Sequence, residues 1–306
     1  MAMAALVLLC LTASQGRAAE PVRVEVLSLL VPQRVLVTSP DATLDLPSGG
    51  RLAPGARLEL ERDGARVVAR SGGWRWRGDR LVLGASGERI SVDVRGRNRL
   101  VRTLAGRLTI DSDGRALRLV VETDLESLVA SAVAAELDQV TEPAALEAAA
   151  IAIRSYLIAN RGRHAADGFD FCDTTHCVFS RGVPDPTAPP ERAAAAAAVA
   201  TRGLVLERDG HVVAGYLTAC CGGRTTTPSE LWNVADDGDY EPVSCSLCSR
   251  SEFYRWRRAA SVDAVADVLS SLTGARVGPD ADLRAVAGEG GWTRWVVVSS
   301  GGRESR

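Results

Sequence analysis

Apolar and polar residues alternate along the first third of the chain, between Val22 and Val121. Short runs with a period of two are typical of half-buried β-strands. The clearest runs lie at 22–26, 57–61, 80–83 and 89–92. Glycine turns such as Asp63-Gly64 and Asp113-Gly114 separate such runs. The pattern predicts a β-rich module over residues 19–121.

The hydrophobic period becomes helical at Thr123. The sequence Thr123-Asp124-Leu125-Glu126 has the spacing of a capping box and begins an apolar helical pattern. A second helix is predicted to begin after Thr141, with Pro143 in its first turn, where a missing N–H costs nothing. Its apolar stripe extends to about Asn160.

Helices and strands are mixed in the rest of the chain. The pattern predicts a helix over the alanine run 193–200, a hairpin over 204–217, a helix over 262–272 and a closing strand over 292–299. The predicted fold class is therefore α+β, with the β-rich N-terminal module followed by a mixed helix and strand domain over 122–306.

The longest apolar run, Met1–Thr12, lies at the N-terminus. It has roughly the length of a signal-peptide core and is too short to cross a bilayer comfortably. Gly16 and Ala18 supply small residues for cleavage after Ala18. We expect a signal peptide over 1–18, export to the periplasm or cell envelope, and no stable membrane span after cleavage; a buried first helix is the alternative.

The amino-acid composition argues against several classes of function. The chain has 306 residues and a net charge of −2, and all 36 basic residues are arginine. Without lysine, neither Schiff-base chemistry nor a Walker phosphate loop is available. The balanced charge argues against a dedicated nucleic-acid binder.

Two of the three histidines lie close in sequence to two cysteines: His164, Cys172, His176 and Cys177. Two thiolates and two imidazoles suit tetrahedral zinc, and a set of four ligands implies a structural ion. A Cys172–Cys177 disulfide is the alternative in an exported protein.

Four further cysteines form two close pairs, Cys220-Cys221 and Cys245-x2-Cys248. Disulfides that cross between the pairs are the favoured interpretation, because adjacent cysteines rarely bridge each other. A second zinc site is the alternative.

Glu136 is a candidate general acid. It lies seven residues after Val129 and eleven after Leu125, so the three side chains project along nearly one line of the first helix. An apolar stripe thus ends in a carboxyl group, whose pKa burial would raise. The alternative is a glutamate on a frayed last turn that faces water.

Several motifs resemble the stage II sporulation protein D (SpoIID/LytB) family. Glu136-Leu137, Pro143 and the helix Leu146–Tyr156 resemble its core. Further matches follow in family order: Asp173-Thr174, Cys177, Gly182, Thr201-Arg202-Gly203, Tyr216, Cys221-Gly222-Gly223-Arg224-Thr225, Trp232, Tyr240 and Trp256. The zinc-like cluster is similar to a His-Cys-His-Cys set in part of the family.

The resemblance implies a lytic transglycosylase that cuts peptidoglycan glycan strands between N-acetylmuramic acid and N-acetylglucosamine. Glu136 falls on the family's acid position and Arg154 on its arginine. Arg224 lies in the Gly-Gly-Arg-Thr turn, where it could contact sugar acetamides or the lactyl carboxylate. Some relatives instead act as wall-binding enhancers of an N-acetylmuramoyl-L-alanine amidase, which is the alternative function and partner. A third hypothesis is a structural, exported β-rich protein that the metal cluster holds together.

Three departures from the family pattern bear on this expectation. Ala149 replaces a helix glutamine, and Val178 replaces a residue that is often polar. The sequence ends at residues 301–306 without the family's Gly-His-Gly-Val-Gly stretch. We therefore expect either a C-terminally truncated member or a relative with an incomplete cleft and weak turnover.

Overall fold

The computed structural model describes residues 21–305 except 86, 96–98, 141, 233, 235–237, 275, 279 and 289–290. The predicted signal peptide at 1–18 lies outside the described residues. The chain divides into two compact units. The described residues up to Tyr216 belong to the first unit, and those from Leu217 onward belong to the second.

Most of the strands belong to the first unit. They are β1 Val22–Val26, β2 Arg34–Thr38, β3 Leu44–Asp45, β4 Arg51–Leu52, β5 Leu58–Asp63, β6 Arg66–Ser71, β7 Trp74–Gly78, β8 Arg80–Leu83, β9 Arg89–Arg95, β10 Arg99–Ala105, β11 Arg107–Ser112, β12 Leu117–Thr123, β13 Phe171–Cys172, β14 Glu207–Arg208 and β15 His211–Val212. Its α-helices are α1 Leu125–Glu136, α2 Pro143–Ala159 and α3 Pro189–Ala200. The predicted boundary between residues 121 and 122 stays a prediction; that position lies within β12.

Two larger sheets organise the first unit. One has the strand order β10-β9-β2-β5-β6-β7, and the other has the order β13-β1-β12-β11-β8. Strand β1 shows why the alternating pattern folds this way, since Val22, Val24 and Val26 are buried while Arg23 is exposed. Strand β13 pairs in parallel with β1, which sets Cys172 opposite Glu25. The short strand that carries a predicted metal ligand is thereby fixed to the edge of a sheet.

The helices pack onto this framework. Buried apolar residues of both larger sheets and of α1, α2 and α3 form one continuous cluster. Pro143 is the first residue of α2, as predicted. The predicted capping box is wrong by one residue, because Thr123 ends β12 and Asp124 caps α1. The Asp124 carboxylate accepts the Ser127 N–H at 2.9 Å.

The predicted hairpin near residue 209 forms, although its strands are short. β14 and β15 have two residues each and pair around Asp209 and Gly210, which both have positive φ. Positive φ at both central residues is the geometry of a tight two-residue hairpin turn. Strands longer than two residues were predicted here, and the remainder of 204–217 is irregular.

The second unit contains α4 Pro228–Trp232, α5 Val262–Thr273, β16 Asp282–Ala287, β17 Thr293–Ser300 and β18 Arg303–Ser305. The three strands form an antiparallel sheet in the order β16-β17-β18. The predicted helix over 262–272 and the predicted strand over 292–299 are both present, the strand displaced by one residue. The α+β class is confirmed. None of the described helices is long and apolar enough to cross a membrane.

Candidate functional site

His164, Cys172, His176 and Cys177 meet beside β13. The four candidate ligand atoms all lie within 4.8 Å of one another. The Cys177 Sγ lies 3.2 Å from the His164 Nε2 and 3.5 Å from the His176 Nδ1. The Cys172 Sγ lies 3.7 Å from the same His176 Nδ1. The structure thus brings together all four residues of the predicted metal set.

These distances fit the donor set of a zinc ion. Zinc bonds of about 2.3 Å to sulfur and 2.0–2.1 Å to nitrogen place sulfur and nitrogen about 3.6 Å apart on a tetrahedron. The Asp167 carboxylate lies 3.2 Å from the His164 Nδ1, which leaves Nε2 directed at the cysteines. A carboxylate behind a ligating histidine is the usual support of such a site.

The two thiols of this cluster are free rather than bridged. Burial, with a contribution from the neighbouring Cys172, raises the pKa of Cys177 to about 11. The Cys177 thiol therefore keeps its proton unless a cation compensates the charge of the thiolate. The geometry is that of a closed four-ligand set, which would hold an ion in a structural role.

Glu136 is the last residue of α1 and is exposed to solvent, whereas Val129 on the same line of the helix is fully buried. The protein around the carboxyl group removes enough water to raise the pKa of Glu136 above its ordinary value of 4.5. The backbone of Phe179 and the positive charge of Arg181 oppose this shift. The side chain is therefore accessible and holds its proton to a higher pH than a free glutamate does.

The segment that contains Phe179 and Arg181 lies beside Glu136. It directly follows the thiol and imidazole cluster, which consists of His164, Cys172, His176 and Cys177. Phe179 is two residues beyond Cys177, and the Arg181 guanidinium lies 5.1 Å from the centre of the Phe179 ring. Arg181 also forms a 3.2 Å ion pair with Asp138. Its backbone N–H donates to the Ser131 hydroxyl of α1 at 3.2 Å. These contacts fix the segment against the helix that carries the candidate acid.

Arg154 is a buried residue of α2. Its side chain is 1% exposed and forms a salt bridge with Glu126, with N···O distances of 2.9 and 2.7 Å. The remaining N–H groups donate to carbonyl or hydroxyl oxygens of Ala150, Ala198, Thr201 and Leu204. The five donors of the guanidinium are thus engaged within the protein. This geometry favours a structural role and gives no support to the predicted contact of Arg154 with substrate.

Arg154 is also separated from Glu136. Its partner Glu126 lies in the first turn of α1, and Glu136 lies in the last. Ten residues at 1.5 Å per residue place the two ends about 15 Å apart along the helix.

Arg224 lies in the second unit. Its backbone forms an isolated bridge with Ser244, and its carbonyl accepts the Trp292 indole N–H at 3.1 Å. The residue is exposed, and no described residue forms a hydrogen bond or ion pair with its guanidinium. The turn that presents Arg224 is thus well held, and its role in sugar binding stays a prediction.

A cavity of about 140 Å³ lies near α1 and is lined mainly by apolar side chains, with Arg102, Ser131 and Arg181 among its polar members. Glu136 does not line it. Small-molecule sites usually have volumes of about 300–1,000 Å³. The cavity is therefore smaller than a usual small-molecule site.

Sequence reasoning missed several residues that shape these sites. Glu126 was assigned to helix capping, yet its carboxylate holds Arg154. Asp167 lies three residues after His164, a spacing that could have identified it as a support for that histidine. Phe179 and Arg181 follow the cysteine motif closely, but nothing in their spacing predicts contact with a helix that ends more than forty residues earlier.

Residues 113–208 match the family model described as SpoIID: Stage II sporulation protein. No curated protein matches the chain. The matched segment contains Glu136, Arg154 and the whole thiol and imidazole cluster, and Arg224 lies outside it. The match confirms the predicted resemblance and indicates a function related to sporulation or the cell wall.

Proposed function

We propose that the SpoIID-family domain at residues 113–208 makes this chain a peptidoglycan lytic transglycosylase with Glu136 as its single acid and base. The observation that carries the proposal is an exposed glutamate with a raised pKa at the end of a buried helix, inside the matched segment. A general acid needs both solvent access and a proton retained toward neutral pH.

The reaction needs one carboxyl group because the sugar supplies its own nucleophile. Protonated Glu136 donates its proton to the glycosidic oxygen, and the bond from that oxygen to C1 of the muramic acid breaks. The resulting carboxylate then accepts the proton of the muramic 6-hydroxyl, whose oxygen bonds to C1 and closes an anhydro ring. Glu136 regains its proton and no water is consumed, so the second carboxylate of ordinary glycosidases is unnecessary.

We assign the predicted zinc ion a structural role in this mechanism. When bound, it would join His164, Cys172, His176 and Cys177 and so fix the loop that continues into Phe179 and Arg181. That segment sets the environment of the Glu136 carboxyl group. Catalysis loses efficiency steeply when such support is displaced by about 1 Å.

The pH dependence should follow the environment of Glu136. The active form carries the proton, so activity is expected to be highest at low pH and to fall as pH rises through the raised pKa. Arg181→Gln removes a positive charge that lowers this pKa. We expect the alkaline limb of the kcat/KM profile to move to higher pH in this variant. Arg75→Gln, at an exposed position on β7, is the control and should leave the limb unchanged.

Metal removal should destabilise the first unit. We expect the purified chain to hold about one zinc ion at this cluster, because structural zinc contributes directly to the free energy of folding. His176→Ala and Cys177→Ser should lose that ion and lower the melting temperature, and Asp167→Asn should weaken binding by about 10–100-fold. His211→Ala is the matched histidine control. A mapped Cys172–Cys177 disulfide in metal-free protein would contradict the assignment.

A second candidate is a non-catalytic wall-binding enhancer of a cell-wall amidase. The burial of Arg154 favours it, since only 1% of this predicted glycan-site side chain is exposed to solvent. The two functions can be distinguished by incubating the chain with denuded glycan strands, once alone and once with an N-acetylmuramoyl-L-alanine amidase. The proposed enzyme releases muropeptides with anhydro ends unaided, whereas an enhancer changes only the amidase rate. Either function requires export to the periplasm or cell envelope, which we propose for this chain.

A further inference from the structure

Three cysteines meet in the second unit, which lies outside the segment that matches the family model. The sulfur atoms of Cys221, Cys245 and Cys248 all lie within 4.8 Å of one another. The Cys248 Sγ lies 3.0 Å from that of Cys221 and 3.7 Å from that of Cys245. Thiolates on one tetrahedral zinc ion are about 3.8 Å apart, given zinc–sulfur bonds of about 2.3 Å. The cluster is thus already close to a metal-binding arrangement.

The main chain holds these cysteines in place. The Cys245 N–H donates to the Gly223 carbonyl at 2.8 Å, and the Thr225 N–H donates to the Val243 carbonyl at 2.9 Å. Gly223 has a φ of 106°, a backbone conformation that residues other than glycine rarely adopt. The turn after Cys221 therefore depends on glycine, and it brings the two cysteine segments side by side.

A backbone donor also points at one sulfur. The Cys221 N–H donates to the Cys248 Sγ at 3.2 Å. An N–H group directed at sulfur stabilises a thiolate more than a neutral thiol, because the acceptor is then charged. Two residues separate Cys245 from Cys248, a spacing that is common to zinc sites.

The second unit has few buried residues to hold it together. Among its described residues, only Cys221, Pro228, Val277, Val297 and Val298 are buried. Helix α5 contributes none of these. Small domains with so little core are usually held together by disulfides or a metal. Cys221 is one of these few buried residues, so a metal bound by the cysteine cluster would add to the small core of this unit.

We infer that Cys221, Cys245 and Cys248 bind one zinc ion as three thiolates, separately from the cluster in the first unit. Each thiol releases its proton to solvent when the ion binds, and the fourth tetrahedral position is left to a solvent molecule. The ion joins the segment after Cys221 to the segment before Cys248. Cys220 is not a ligand, since its sulfur lies outside the group of three.

A disulfide accounts for the geometry less well. A bond between Cys221 and Cys248 would leave Cys245 unpaired with its sulfur 3.7 Å from the bridge. Two crossing disulfides would also need Cys220, whose sulfur instead lies 4.0 Å from the Cys248 carbonyl oxygen. One ion uses all three convergent thiols at once.

The test measures zinc per chain in full-length protein that is purified with its thiols kept reduced. We expect Cys245→Ser and Cys248→Ser each to lose one zinc ion relative to the parent chain. Cys220→Ser, the matched control, should keep the full content. Combining Cys248→Ser with His176→Ala should remove the zinc of both clusters additively. An unchanged zinc content in Cys245→Ser and Cys248→Ser, or an equal loss in Cys220→Ser, would overturn the assignment.

A second measurement uses the unmutated chain and so does not depend on any variant folding. Added zinc should slow alkylation of Cys221, Cys245 and Cys248 but not of Cys220, and a chelator should restore their reactivity. Cobalt(II) added in place of zinc should give the strong near-ultraviolet absorption of thiolate-to-metal charge transfer, reduced in Cys245→Ser. Equal alkylation with and without zinc, or a mapped Cys221–Cys248 disulfide in the purified protein, would contradict the proposal.

Discussion

Replacing Glu136 by glutamine is expected to lower the rate of glycan cleavage by about 10²–10⁴-fold, the usual contribution of general acid–base catalysis. The amide matches the carboxyl group in size but has no proton to give to the glycosidic oxygen. Glu136 is exposed on the last turn of α1, so the variant should fold normally. Turnover of purified glycan strands and the melting temperature are the two measurements.

The control for this substitution is Glu142→Gln. Glu142 is exposed and precedes α2 without a side-chain hydrogen bond to the helix terminus. Its variant should retain full activity. If both variants cut glycan strands at the parental rate, Glu136 is not the acid.

Replacing Arg154 by methionine is expected to cost about 3–5 kcal/mol of stability, as the loss of one partner from a buried ion pair usually does. The change leaves the Glu126 carboxylate, whose side chain is 17% exposed, without its counterion. It also removes the donors that bind the carbonyl oxygens of Ala198 and Leu204. Urea unfolding of the parent and the variant measures the difference.

A double variant that combines Arg154→Met with Glu126→Leu separates the contribution of the ion pair from the rest of the stability loss. Removing both charges together should recover part of the stability, because no unpaired carboxylate then remains in the protein. If Arg154→Met instead keeps parental stability and loses affinity for glycan, the substrate-binding role predicted from sequence is right and the structural role is wrong.

Spacing in the sequence predicted correctly those features that depend on residues close together in the chain. The four residues of the first cluster lie between His164 and Cys177, so one loop can bring them together. The helix over Pro143–Ala159 followed from Pro143 and the apolar stripe. The capping of α1 was misassigned because Thr123 and Asp124 are both good caps, and the pairing of Thr123 with Val22 in the sheet decides between them.

The environment of Arg154 could not be predicted in this way. Its guanidinium is buried because Glu126 lies 28 residues before it and the end of α3 lies 44 residues beyond it. Those distances in sequence carry no periodic signal. An arginine within a family motif therefore looks the same in sequence whether it binds substrate or holds helices together.

The cysteines of the second unit show a related limit. Their spacing in the sequence allowed either crossing disulfides or a second zinc ion, because it does not show how far apart the sulfur atoms lie in the folded protein. The folded turn at Gly222 and Gly223 brings three of the four sulfurs together and leaves Cys220 outside the group. Which chemistry is favoured depends on that turn.

Digestion of denuded glycan strands in water labelled with oxygen-18, followed by mass analysis of the products, tests the central claim most directly. A transglycosylase closes the anhydro ring with the sugar's own 6-hydroxyl, so the account predicts products one water lighter than hydrolysis products and free of the label. Labelled reducing ends, or no cleavage by the chain with Glu136 intact, would contradict it.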